Sequence, residues 1–339
     1  MKLRLSDYKT IIFDLDGVIT SELAYWHSAA LCAYDLLFSH EHYGVSDIDR
    51  EWLRRRYIDI YNTVMCGGRT VKAVKRIGVN TNFDLAYVVF CVSKYINPEL
   101  SSPDASHFQS VCMFIENIDL NPPKLYDALS QLCFRAMPDF CENHFDRNGD
   151  FFKKELFECF DIWYGGNDEI TGICETEKLL FDDLDLQRML KRLRDKNITL
   201  GIGSGRPGDE IIYPLSKAEI YDYFDKDFEV SFDTVCDAER ELDLKAPLAK
   251  PEPFVFLKAV LGKNHTNREI IDGSYSYEEL ERVLVVGDAP CDMIAAQKAG
   301  FDFLAVLTGV EGDGMRKYFE ENGADYIFDT VLDFDNCEE

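Results

Sequence analysis

Two carboxylates, Asp14 and Asp16, stand two residues apart in the stretch FDLDGVIT, directly after the apolar residues Ile11, Ile12 and Phe13. In an extended chain alternate side chains share one side, so the pair sits at one end of a strand, with Gly17 allowing the turn. Like charges held that close cost free energy unless a cation, a proton or a chemical task accounts for them. A carboxylate placed there can attack phosphorus and split one difficult displacement into two easier ones. A second carboxylate can protonate the leaving oxygen and later deprotonate a water. A divalent metal would relieve their repulsion. The plain alternative is a strand-ending turn with exposed acids.

Three further stretches carry chemistry. In LGIGSGRP (200–207), Ser204 ends an apolar run between Gly203 and Gly205, and Pro207 is placed to start a helix. A hydroxyl and exposed N–H groups at a helix start can cradle phosphate. Gly203, Gly205 and Gly208 also spell GxGxxG, a competing dinucleotide signature. No acid at a strand end follows at the spacing that signature needs. In LAKPEPFVFLKAVLG, Lys250 precedes Pro251 and Pro253 and can compensate clustered acids and phosphate, or simply lie in a solvated loop. In VLVVGDAPCDMIAAQKAG, Asp288 follows four apolar residues and offers the hard oxygen that Mg²⁺ prefers. Asp292, four residues later, either supports that acid or favours the helix N-terminus.

These groups need a scaffold. Strand-like runs fall at Thr10–Leu15, Ile198–Gly203, Phe228–Phe232, Arg282–Gly287 and Phe303–Leu307, with Asp325–Phe328 as a weaker sixth. Helical spacing of Leu186, Met189, Leu190 and Leu193, and of Ala295, Ala296 and Ala299, separates strands. The alternation predicts an α/β fold, a Rossmann-like three-layer core with a parallel sheet. The segment 22–178 reads instead as all-helical, with stripes such as Phe152, Leu156, Phe160 and Trp163, broken at 97–104 and 121–123. The expected organisation is a core of 1–21 and 179–339 with a helical domain, 22–178, inserted after the first strand.

Composition narrows the classes. The net charge of −26, from 62 acidic and 36 basic residues, opposes binding to nucleic acid and anionic membranes. It also opposes an anionic substrate, so a phosphate site needs local cations. No apolar run approaches the ~20 residues of a membrane span, and the N-terminus is too polar for a secretory leader. Eleven cysteines without a CxxC pair suit reduced thiols in a cytoplasmic chain.

Taken in order, FDLDGVIT, GIGSGRP, KPEPFVFLKA and GDAPCDMIAAQKAG resemble the motifs of the haloacid dehalogenase superfamily of phosphohydrolases and phosphotransferases. The resemblance covers 8–20 and about 180–308. It implies Asp14 as nucleophile and Asp16 as general acid/base, with a backbone carbonyl of Asp16 given to Mg²⁺. It implies that Ser204 and Lys250 hold the phosphoryl group, and that Asp288 binds the metal with Asp292 in support. A helical cap after the first motif is also a feature of that family. The stretch MCGGRTVKAVKR (65–76) resembles the cap loop of β-phosphoglucomutase-like relatives, where Gly67 and Gly68 would let the loop turn and Arg69 would meet substrate. Its plain alternative is a basic helix start. Gly205 and Arg206 are the further substrate-binding candidates. The family's usual Asp-Ser-Glu run is absent, TSELAYWH standing in its place with His27 displaced.

The resemblance implies a Mg²⁺-dependent phosphatase acting on a small phosphorylated metabolite. A phosphomutase would share every motif, and a silent binding protein would share the fold. A dehalogenase would not need Asp16. Separately, HFDRNGDFFKKE (144–155) partly imitates a calcium loop, with Asp146, Asn148 and Glu155 as ligands and Gly149 at the turn, although His144 stands where an Asp is expected. Its alternative is a polar turn capping the helix that follows.

Overall fold

In the computed structural model the residues described are 3–79, 81–120, 124–138, 141–142, 150–244 and 246–338. The chain divides into two units, Met1–Ser21 with Lys178–Glu339, and Glu22–Glu177.

The first unit is built on β1 (Thr10–Phe13), whose residues are all buried. Such a run without polar alternation suits a parallel strand covered on both faces. It lies between β2 (Thr199–Gly203) and β4 (Val283–Gly287), with Ile12 opposite Gly201 on one side and Val285 on the other. With β3 (Glu229–Val230), β5 (Asp302–Val306) and β6 (Tyr326–Phe328), the parallel sheet runs β3-β2-β1-β4-β5-β6. This is a doubly wound order. Its direction reverses at β1, so the carboxyl ends of β1 and β4 open onto the crevice where such sheets place ligands.

Alternation along β1 fixes the two layers. Ile11 and Phe13 join Leu186, Met189, Leu190 and Leu193 of the helix Asp183–Asp195. Ile12 faces the other way and packs with Phe256 of the helix Phe254–Leu261 and Met293 of the helix Pro290–Ala299. Phe13 meets Phe224 and Phe334 edge-on, and its truncation to alanine would cost about 3–5 kcal/mol.

The second unit is helical among its described residues. Its central helix is α1 (Leu23–Phe38), apolar on most of its surface and packed on α3 (Tyr57–Val64), α5 (Asn82–Ile96) and α8 (Asp150–Gly165). A helix apolar nearly all round requires neighbours on every side. Around it stand α2 (Arg50–Arg55), α4 (Arg69–Arg76), α6 (Ala105–Glu116) and α7 (Lys124–Ala136). Leu156, Phe160 and Trp163 of α8 lie in this core. The calcium-loop reading falls on residues 144–149, outside the described residues; Glu155, which is described, accepts hydrogen bonds from His42 and Tyr43.

Candidate active site

Asp14 follows β1 directly, its N–H donating to Val286 O of β4 at 2.8 Å. Asp288 follows the carboxyl end of β4, so two neighbouring strands deliver two acids to one edge. Asp292 is brought beside them by the helix Pro290–Ala299. Its Oδ2 accepts the Ala289 N–H at 3.2 Å, and the side chain is almost wholly buried. Carboxylate oxygens of Asp14, Asp288 and Asp292 lie within 4.8 Å of one another.

Lys250 holds this cluster together. Its Nζ donates to Asp14 Oδ1 at 2.9 Å and Asp292 Oδ1 at 2.8 Å, 5.1 Å from the centre of the Phe256 ring. Burial opposes the ammonium charge, but the two carboxylates outweigh it and keep the proton in place. Asp14 is pushed the other way. Burial raises its carboxyl to about 7, with Asp292 and Asp16 adding to the effect and Lys250 opposing it.

Asp16 lies past the strand, and among the described residues three donors converge on one of its oxygens. Oδ1 accepts from Arg206 Nη2 at 2.5 Å, Arg206 Nε at 3.0 Å and Thr20 Oγ1 at 3.1 Å. Arg206 is 2% exposed, and its Nη1 donates to Glu210 O. The guanidinium expected to meet substrate is therefore turned inward, where it fixes Asp16. Ser204 is buried at the end of β2, its Oγ accepting the Arg206 N–H at 3.3 Å. Gly205 beside it is exposed, with open space where a side chain would stand.

In GxGxxG the last glycine, Gly208, starts a helix, and its N–H is taken by Asp233 Oδ2 at 2.8 Å. An acid occupies the position where that signature would place a pyrophosphate.

Two residues that sequence reasoning passed over shape the acid cluster. A Cβ on Gly309 would collide with the Asp288 carboxylate, and one on Gly17 (φ +75°) would do the same. Thr308 Oγ1 donates to the Gly17 carbonyl. The only signal for them was a threonine and a glycine just past an apolar run. In the helical unit, Gly67 and Gly68 have positive φ and lead into α4. Arg69 begins that helix exposed, bonded through Nη2 to Glu116 at 2.8 Å and through Nη1 to Gln109 at 3.3 Å.

The acid cluster suits a small hard cation. Its donors are carboxylates only, and bare glycines let the backbone close on Asp288, as Mg²⁺ sites with few protein ligands require.

Residues 8–300 match the haloacid dehalogenase-like hydrolases. The chain belongs to this family, and it is a hydrolase of that fold. Over 97% of both chains it is similar to an X-ray structure solved as a Northeast Structural Genomics Consortium target, with 25% identity and a TM-score of 0.79. A structure described as a predicted phosphoglycolate phosphatase from Haemophilus somnus 129pt shares 16% identity over 97% of both chains, with a TM-score of 0.44. No curated protein matches the chain in sequence. Among the described residues no helix is long and apolar enough to cross a membrane.

Proposed function

We propose that the chain is a phosphohydrolase that removes phosphate from a small phosphate ester through a phosphoaspartate on Asp14. The observation that carries this reading is the pairing of Asp14, bridged by Lys250 to Asp292 beside Asp288, with an Asp16 whose Oδ1 is fully engaged. One carboxylate is buried and aimed by a cation. The other has Oδ2 left for proton exchange. Two acids in different environments take different roles.

The chemistry follows from those environments. A carboxylate oxygen of Asp14 attacks phosphorus, the bond to the ester oxygen breaks, and Asp16 Oδ2 gives its proton to that oxygen. Water then attacks the acyl phosphate, Asp16 takes the proton back, and phosphate leaves Asp14 free. Ser204 and Lys250 hold phosphoryl oxygens, and Gly205 leaves room for them. Asp14, the Asp16 carbonyl and Asp288 would hold Mg²⁺, with Asp292 in support; bound there it neutralises phosphoryl charge. Arg206 acts on Asp16 and not directly on substrate.

The helical unit is proposed as the cap that selects the leaving group and excludes water, with Arg69 at the substrate's far end. A cap favours a small metabolite over a polymer, and the −26 charge disfavours nucleic acid. Eleven cysteines, none in a disulfide, favour a reducing, cytoplasmic setting.

The test is phosphate release from a panel of phosphate esters, with and without Mg²⁺, for the wild type and Asp14→Asn. Mg²⁺-dependent release that vanishes in Asp14→Asn supports the reading. Isomerised sugar phosphate without stoichiometric phosphate would replace it with a phosphomutase. Binding of esters without either product would leave a silent binding protein on this fold.

A further inference from the structure

The helical unit gathers a second set of ligand-type side chains that the catalytic reading does not use. Asp35 lies on α1, His42 in the loop after it, and Cys159 on α8. A carboxylate oxygen of Asp35, a ring nitrogen of His42 and Cys159 Sγ lie within 4.8 Å of one another. Asp35 and Cys159 are buried in the unit's interior.

The bonding of these residues is incomplete in one specific way. Asp35 Oδ2 accepts from Arg50 Nε and Trp163 Nε1, each at 3.0 Å. Its other oxygen, Oδ1, is buried and accepts nothing. A carboxylate oxygen sealed from water without a partner is costly. His42 is oriented from behind, Nδ1 lying 2.8 Å from Glu155 Oε1, and Tyr43 Oη donates to the other oxygen of that carboxylate. A carboxylate on one imidazole nitrogen fixes the tautomer that offers the other nitrogen to a metal. Beyond Glu155, His42 has a long contact of 3.4 Å from Nε2 to Arg50 Nη2, itself held by Glu41 Oε2 at 2.9 Å, and a hydrogen bond with the Cys159 thiol.

We propose that Asp35, His42 and Cys159 form a structural site for a divalent transition cation of the Zn²⁺ class, tying α1 and its following loop to α8. A thiolate, an imidazole and one carboxylate oxygen form a donor set suited to zinc and unlike the all-oxygen cluster at the sheet edge. Water fills the fourth position. Charge supports the assignment. Asp35 and Glu41 pair with the Arg50 guanidinium, and Glu155 pairs with His42. As the cation enters, the thiol and the imidazolium give up their protons. Two positive charges arrive as two protons leave, so the buried balance is unchanged.

The experiment uses the purified full chain, stripped with chelator and titrated with Co²⁺ alone. One equivalent is expected to produce the intense near-ultraviolet absorption of a thiolate–cobalt bond, lost in Cys159→Ser and kept in Asp288→Asn. His42→Asn is expected to weaken binding at least about tenfold. No thiolate absorption in the wild type, or absorption that survives in Cys159→Ser, overturns the proposal, because then no ion binds or another cysteine holds it. If Cys159→Ser does not fold, X-ray absorption of the Zn²⁺-loaded wild type decides. One sulfur at about 2.3 Å among nitrogen and oxygen neighbours supports the site. A shell without sulfur, or with several, overturns it and leaves the cluster an ion-pair network around Arg50.

Discussion

Arg206 Nη2 lies 2.5 Å from Asp16 Oδ1, with Nε of the same guanidinium 3.0 Å from the same oxygen. The two residues are 190 positions apart in the chain, and the arginine is buried. The pairing ties the acid just past β1 to the loop after β2, so the proposed proton-transferring group is bonded to the proposed phosphate-binding loop.

Removing that guanidinium leaves a poorly solvated carboxylate without its partner. Arg206→Ala is expected to destabilise the chain by about 3–5 kcal/mol, read as a lower urea midpoint at an unchanged m-value. Arg206→Lys keeps the charge but loses the fork, so it should recover part of the stability with kcat still reduced. An Arg206→Ala variant with wild-type stability and kcat would show that the pair does nothing for Asp16.

Lys250 is the cation between Asp14 and Asp292, so Lys250→Met strands two buried carboxylates beside a third. The expected loss is about 3–5 kcal/mol at neutral pH, with activity abolished. Mg²⁺ should restore part of the stability and none of the turnover. Denaturation with and without Mg²⁺ checks both, and a variant insensitive to Mg²⁺ would argue that the acids do not share a cation.

Asp14 gives a pH signature with a definite sign. Its carboxyl titrates at about 7 in the folded chain against an ordinary value of 3.8, with burial the main cause. Between those values the folded form binds the extra proton, so this group's contribution to stability falls as pH rises from about 4 to about 7. Metal-free wild type should therefore lose more stability than Asp14→Asn between about pH 5 and about pH 8. Mg²⁺ should flatten the difference. Parallel unfolding curves for wild type and variant would contradict the assignment.

Gly309 makes a finer test, because its φ needs no glycine and only the space does. A Cβ there meets the Asp288 carboxylate. Gly309→Ala should raise the Mg²⁺ concentration for half-maximal activity about tenfold or more while leaving the fold intact by circular dichroism, the displaced ligand costing about 1.4 kcal/mol or more. Unchanged Mg²⁺ dependence would mean that Asp288 does not hold the metal.

The sheet was legible because a parallel strand covered on both faces is written as an uninterrupted apolar run. Val283–Gly287 and Thr199–Gly203 are of this kind, and both lie within the expected segments. The exception is instructive. The run Phe228–Phe232 contributes only Glu229–Val230 to the sheet, because Ser231 forms a capping box with Thr234 and Phe232 already begins a helix. A five-residue run that alternates apolar and polar residues does not reveal which of its members a cap will claim. Strand ends also made Asp14 and Asp288 conspicuous. The inward turn of Arg206 was not legible, since it depends on two loops that meet only when β1 and β2 pair. Asp35, His42 and Cys159 share no spacing that a motif would display; helix packing alone brings them together.

The most direct test follows the phosphoryl group proposed to rest on Asp14. Turnover of the fastest ester in the panel, with Mg²⁺, should be quenched in acid and the peptides examined by mass spectrometry. A phosphoryl adduct is expected on the peptide containing Asp14, enriched in Asp16→Asn, where hydrolysis of the intermediate slows, and absent in Asp14→Asn. Continued phosphate release with no adduct on that peptide at any quench time, or release surviving in Asp14→Asn, would contradict it.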